Sequence, residues 1–208
     1  THSNNGTTAA GQLYEIVYVV QGDLTVDGAV NLNSRGFEMD EGTGAGSLVG
    51  SHGGGGGHGG DGGQSGDSSG LEAGSEGSAY GSNTVPVTIG SGGGYDASIL
   101  AGSGGGAAKF TVTGATSISG SFTADGEDAS SGARENGGGS GGSVYIITGS
   151  LAGAGTVTAL GGAGYDNGSN EGGGGGGGRI ALYYSTDTSS FTPTVTGGAG
   201  GDAYSEAG

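Results

Sequence analysis

The sequence predicts an all-β fold, a repetitive β-solenoid-like stack with a repeat of about 35 residues and a packed polyglycine II layer along one side. Three observations lead there. Segments of alternating apolar and polar residues recur at a fixed spacing, which is the pattern of half-buried strands. Each is followed or preceded by a glycine-rich tract, in a chain with 59 glycines among 208 residues. No window of helical length combines a 3.6-residue period with freedom from glycine.

The first unit, residues 13–36, contains Glu15-Ile-Val-Tyr-Val-Val20, a turn at Gly22, and Leu24-Thr-Val-Asp-Gly-Ala-Val-Asn-Leu32. Residues 37–106 interrupt the series as a Gly/Ser/acid-rich insertion with one short strand candidate, Val85-Pro-Val-Thr-Ile89. The second unit, 107–143, opens with Lys109-Phe-Thr-Val-Thr-Gly114 and continues with Gly120-Ser-Phe-Thr-Ala-Asp125. In the third, 144–178, the equivalents are Val144-Tyr-Ile-Ile-Thr-Gly149 and Gly155-Thr-Val-Thr-Ala-Leu160. The fourth, 179–208, has Arg179-Ile-Ala-Leu-Tyr-Tyr-Ser185 and Thr192-Pro-Thr-Val-Thr196. Gly126, Gly161 and Gly197 mark the same turn at steps of 35 and 36 residues. One unit alone has no second apolar face to pack on, so neighbours must supply the core of a single domain spanning 1–208.

The glycine tracts need their own account. Ordering a glycine costs roughly 0.5–1 kcal/mol more than ordering alanine, so 59 of them oppose folding by some tens of kcal/mol. Without side chains, such tracts hold together through backbone hydrogen bonds to one another. In His58-Gly-Gly-Asp61-Gly-Gly-Gln64-Ser-Gly-Asp67 every third residue is polar, the period of a helix with three residues per turn. This tract is expected on the outside with its polar edge in water. The bare run 172–178 is expected inside.

Composition removes several function classes. Twenty acidic against four basic residues give a net charge of −16, which repels nucleic-acid phosphates and anionic membranes. No apolar run approaches the ~18 residues of a membrane span. The absence of cysteine removes disulfides, thiolate metal sites and cysteine nucleophiles. No Ser-His-Asp ordering, phosphate-loop lysine or zinc helix motif is present, so no enzymatic activity is expected.

Two sets of residues invite a metal reading. His52 and His58 lie about 19 Å apart in an extended tract, too far to share one ion. The acidic turns are better placed: Asp166 and Asp202 follow Gly161 and Gly197 by five residues, Glu41 follows Gly36 likewise, and Asp125, Glu127 and Asp128 cluster at Gly126. Stacking would bring like charges together, and structural calcium, which takes oxygen ligands, would relieve the repulsion. Asp125, Glu127, Asp128, Asp166 and Asp202 are therefore the candidate calcium ligands. Gly161-Gly-Ala-Gly-Tyr-Asp166 resembles a calcium-binding nonapeptide locally, without recurring every nine residues.

The layout of 107–208, with strands ending in Thr-Gly beside glycine runs, resembles the glycine-rich repeats of large bacterial surface and secreted proteins. The glycine tracts alone resemble the polyglycine-sandwich receptor-binding tips of phage long tail fibres. Both resemblances imply an extracellular or cell-surface location. The expected function is structural: a subunit of a surface fibre, sheath or matrix that joins end to end with copies of itself. The unit at 179–208 stops where a glycine tract should begin, and no capping sequence is legible at either end. The alternative is an adhesin that recognises a host glycan or surface protein through 37–106. A third reading, ice binding, comes from the triplets Thr111–Thr113, Thr156–Thr158 and Thr194–Thr196. Their flat ranks resemble the ice-binding faces of β-solenoid antifreeze proteins.

Overall fold

Apolar–polar alternation between glycines suits a pleated strand with one buried face. The computed structural model, which describes residues 15–67, 73–95, 101–130, 135–166, 170–201 and 205–208, forms strands at most of the expected places. In chain order they are β1 (Ile16–Val20), β2 (Leu24–Val26), β3 (Ala29–Asn31), β4 (Leu48–Val49), β5 (His52–Gly53) and β6 (Gly66–Asp67). Then come β7 (Ala107–Val112), β8 (Ala115–Ile118), β9 (Ser121–Thr123), β10 (Ser143–Ile147), β11 (Ser150–Ala152) and β12 (Thr156–Thr158). The last are β13 (Asn170–Glu171), β14 (Arg179–Tyr183) and β15 (Thr186–Asp187). There is no helix among the described residues, and so none long and apolar enough to cross a membrane.

Three of the sheets are parallel throughout. Their orders are β1-β7-β10-β14, β2-β8-β11-β15 and β3-β9-β12. Register aligns side chains into columns that run across each sheet. Tyr18, Phe110, Ile146 and Leu182 form one, with Ile146 and Leu182 36 residues apart. Leu24, Thr116, Leu151 and Asp187 form another, and Val30, Phe122 and Val157 a third. The insertion widens the first step in each column and leaves the register intact.

The three sheets face a common core of Val26, Leu32, Phe110, Ile118, Phe122, Val144, Ile146, Leu151 and Val157. Phe122 is fully buried and meets Phe110 edge to face at 5.1 Å, while Tyr18 stacks on Phe110 at 5.4 Å. Thr116, which points inward, is satisfied: its hydroxyl donates to Thr148 Oγ1 (3.0 Å), which donates to the Gly114 carbonyl (2.9 Å).

Two expectations about strands need correction. Residues 115–118 and 150–152, which lie between the two strands expected in their units, are strands themselves, so the first three units carry three parallel-sheet strands each rather than two. Burial of Thr116, Ile118 and Leu151 against the core is what makes them so. Conversely, 192–196 contributes only the bridge Thr158–Thr194, and 85–89 forms no strand. Pro193 and Pro86 lack the N–H that a ladder requires. Ile89 is nonetheless fully buried, in a small cluster with Phe37 and Ala107.

The glycine tracts hydrogen-bond to one another and are buried at 53–57, 90–94, 102–106, 137–142 and 172–178. Along 137–142 the N–H donors turn to three neighbours in rotation. Gly137, Gly138 and Gly139 donate to the carbonyls of Gly94, Gly173 and Glu127; Ser140, Gly141 and Gly142 donate to Ser91, Gly176 and Ala124. Partners repeat every third residue, so neighbouring tracts surround the segment. Separation is too small for side chains: a Cβ at Gly55 would lie 1.9 Å from the Gly174 carbonyl oxygen.

The insertion belongs to this packing. Gly55 and Gly56 donate to Gly63 and Gly138, and Gly176 donates to Gly56. The expected water-facing edge of its polar tract holds for Asp61 and Gln64, which are exposed, but not for His58, which is fully buried.

Candidate functional site

The acidic turns, the buried histidines and the two ends of the stacked sheets are the places where chemistry or recognition could reside. At the turns, side-chain oxygens accept backbone N–H groups from segments distant in the chain. Asn33 Oδ1 accepts the Asp125 N–H (2.9 Å), and Asp125 Oδ1 accepts the Leu160 N–H (2.8 Å), 35 residues on. Asp128 Oδ1 accepts the Ala163 N–H (2.7 Å), again 35 residues on, and Glu127 Oε2 accepts the Ser103 N–H (3.3 Å). Such charge-assisted bonds pin one pass to its neighbour and ease the repulsion that motivated a calcium reading. Asp166 lies instead in an antiparallel bridge with Glu171, and Asp202 lies outside the described residues. Among the described residues no group of three or more His, Asp or Glu side chains is placed to hold a metal ion.

His52 and His58 are both buried. His52 Nδ1 lies 3.5 Å from Glu135 Oε2, and the two residues share a parallel bridge. His58 is held inside the glycine tracts: Nδ1 is 2.8 Å from the Gly141 carbonyl and Nε2 is 2.8 Å from Thr88 Oγ1. A proton on Nδ1 serves the carbonyl, and Nε2 then accepts from the threonine hydroxyl. Burial drives the His58 pKa down to about 4, against the opposing pull of the Gly141 carbonyl. Tyr80 packs on the imidazole at 4.9 Å between ring centres, donates its hydroxyl to the Ile89 carbonyl, and is pushed up to about 12 by its own burial. Arg179 Nη2 closes the group by donating to the carbonyls of Tyr80 (2.8 Å) and His58 (3.2 Å). Local spacing carries no hint of this cluster, because its members come from residues 58, 80, 88, 141 and 179.

The threonine triplets do not share one plane. Thr111 belongs to β7 in the first sheet, whereas Thr156 and Thr158 belong to β12 in the third, where Thr123 and Thr194 flank Thr158.

Most of the large exposed apolar side chains lie at or beside the edge strands of the sheets, with Val49 and Val85 in the insertion. At one end β1 is an edge strand with Val17, Tyr18 and Val19 exposed by 54%, 56% and 66%. At the other, β14 and β15 are the edge strands. Between them lies a cavity of about 240 Å³, with Leu151, Ile180 and Leu182 at its base and Tyr184, Phe191 and Pro193 around it. Asp187 lines the same cavity and accepts from the Ser189 N–H (2.8 Å) and hydroxyl (2.7 Å), which hold its carboxyl below the usual range. The sequence pointed to the strand at 13–20 and the unit 179–208 as the two uncapped ends, but not to the side chains they expose. The strand pattern was visible, but exposure of particular positions depends on which strand lies at an edge.

No family model, no curated protein and no solved structure matches this chain.

Proposed function

We propose that the chain is an extracellular structural subunit that self-associates end to end into a surface fibre, sheath or matrix. Its three parallel sheets act as the faces of a β-solenoid with coils of about 35 residues. The glycine tracts form a polyglycine II bundle that stiffens one side. In-register columns with offsets of 35 and 36 residues support the first part. Rotation of N–H partners every third residue along 137–142 supports the second. Glycine tracts from 37–106 are buried among those of the stack, which suits a scaffold built as one piece.

One observation carries the self-association: among the described residues the first sheet ends in β1 on one side and β14 on the other with no further strand beside either, and Val17, Tyr18 and Val19 at one edge and Tyr183 at the other are exposed. Parallel edges display unpaired backbone donors and acceptors, and contact between unlike ends does not close on itself. Sedimentation and negative-stain microscopy of the purified chain over a wide concentration range, with calcium and with chelator, test the proposal. Oligomers that lengthen with concentration are expected. A monodisperse monomer without fibres at high concentration would refute it.

A further inference from the structure

Resting on the self-association just proposed, we infer that the two ends meet in the register the sheets already use, with β1 of one copy added as a fifth strand beyond β14 of the next. The existing columns define the contact. Tyr18, Phe110, Ile146 and Leu182 share one column on the inner face; Val19, Thr111, Ile147 and Tyr183 share its neighbour on the outer face. Repeating the step once more sets Tyr18 of a second copy on Leu182, and Val19 on Tyr183.

Shape and chemistry suit that step. Tyr18 already lies flat on Phe110 on its own side and leaves its other face to solvent. The cavity of about 240 Å³ above Leu151, Ile180 and Leu182 is smaller than the ~300 Å³ of a typical drug-sized pocket, and suits an aromatic side chain with its neighbours. Ile16, paired with Ala108 and so in the column of Val144 and Ile180, would cover Ile180. No lysine or arginine lines the cavity or lies in β1, and Arg179, at the start of β14, donates to the Tyr80 and His58 carbonyls; the partner is therefore an apolar strand edge rather than an anionic ligand.

One position opposes the fit. Leu24 shares its column with Thr116, Leu151 and Asp187, so the joined state sets the incoming Leu24 on the Asp187 carboxylate. An acid at an inward position of an edge strand is a device that weakens edge pairing. Asp187 therefore limits how readily copies join, together with the repulsion between chains of net charge −16.

The test uses the absence of cysteine from the chain. Val19→Cys and Tyr183→Cys are introduced together, at exposed positions that leave the core untouched. Within one copy β1 and β14 lie three strand spacings apart, about 14 Å, beyond disulfide reach. Between copies in the inferred register the pair would be one spacing apart. Mild oxidation should give a ladder of covalent multimers with 19–183 links by mass spectrometry. Asp187→Leu should raise the association constant at least tenfold, and Tyr18→Ala should lower it by as much. Links that join only 19 to 19 or 183 to 183, or oligomers of the parent chain without any 19–183 link, overturn the register and leave self-association standing. A parent chain that stays monomeric overturns both. If the double-cysteine variant does not fold, the responses of Asp187→Leu and Tyr18→Ala decide alone, and the absence of opposite shifts overturns the inference.

Discussion

Replacing Gly175 with valine probes whether the glycine tracts are held by backbone contact. A Cβ at this position would sit 2.1 Å from the Gly139 carbonyl oxygen, 2.5 Å from its carbon and 3.0 Å from the Gly138 oxygen. All three are backbone atoms, so no side chain can swing aside. Relief needs the tract to move outward by about 1 Å to reach ordinary contact. That shift strains the Gly175 N–H bond to Gly162 (2.8 Å), the Gly198 N–H bond to Gly175 (2.7 Å) and the Gly162 N–H bond to Gly139 (2.8 Å). Overpacking costs about 1–3 kcal/mol, and weakening three buried bonds adds about 1 kcal/mol each. The sum is about 4–6 kcal/mol, or a fall in Tm of about 8–24 °C for a chain of this size. Gly28→Ala is the control, because a Cβ there meets nothing within 4 Å. It should be neutral or stabilising by up to about 1 kcal/mol. Both variants are compared by thermal melts and denaturant titration against the parent chain. Equal melting temperatures for the two would refute close backbone packing as the reason for glycine at 175.

Other expectations test the core, the turns and the buried histidine. Phe122→Ala, which removes a fully buried ring, should cost about 3–5 kcal/mol in denaturant titration. Asp125→Asn keeps an acceptor for the Leu160 N–H and should cost less than about 1 kcal/mol, whereas Asp125→Ala should cost about 1–3 kcal/mol. If calcium holds these turns, chelator lowers the parent's Tm and the asparagine variant loses that response; an unchanged Tm for the parent in chelator argues for the backbone role alone. His58 has a folded pKa of about 4, below the 6.5 of an unfolded chain. Its contribution is present above pH 6.5 and is lost as pH falls toward 4, because the unfolded chain takes up the proton first. The loss attributable to His58 should reach about 3 kcal/mol. A His58→Gln variant should lack that part of the pH dependence, and equal pH slopes for the two chains would refute it.

Strand locations and the spacing between passes were legible in the sequence because both follow from local alternation and glycine punctuation. Val144-Tyr-Ile-Ile and Gly155-Thr-Val-Thr announce strands without any knowledge of partners, and steps of 35 and 36 residues align them. Interior placement of glycines 172–178 was readable too, since a tract without side chains has nothing to present to water. Tertiary structure decided the rest. It made strands of the weak segments 115–118 and 150–152, because burial of Ile118 and Leu151 outweighs their poor local signal. His58 became a buried ligand of Gly141 and Thr88 rather than part of a wet edge. Asp125 and Asp128 were turned onto backbone donors one pass away. In each case the deciding contact lies 30 or more residues distant, and its free energy depends on geometry that neighbours in the chain do not encode.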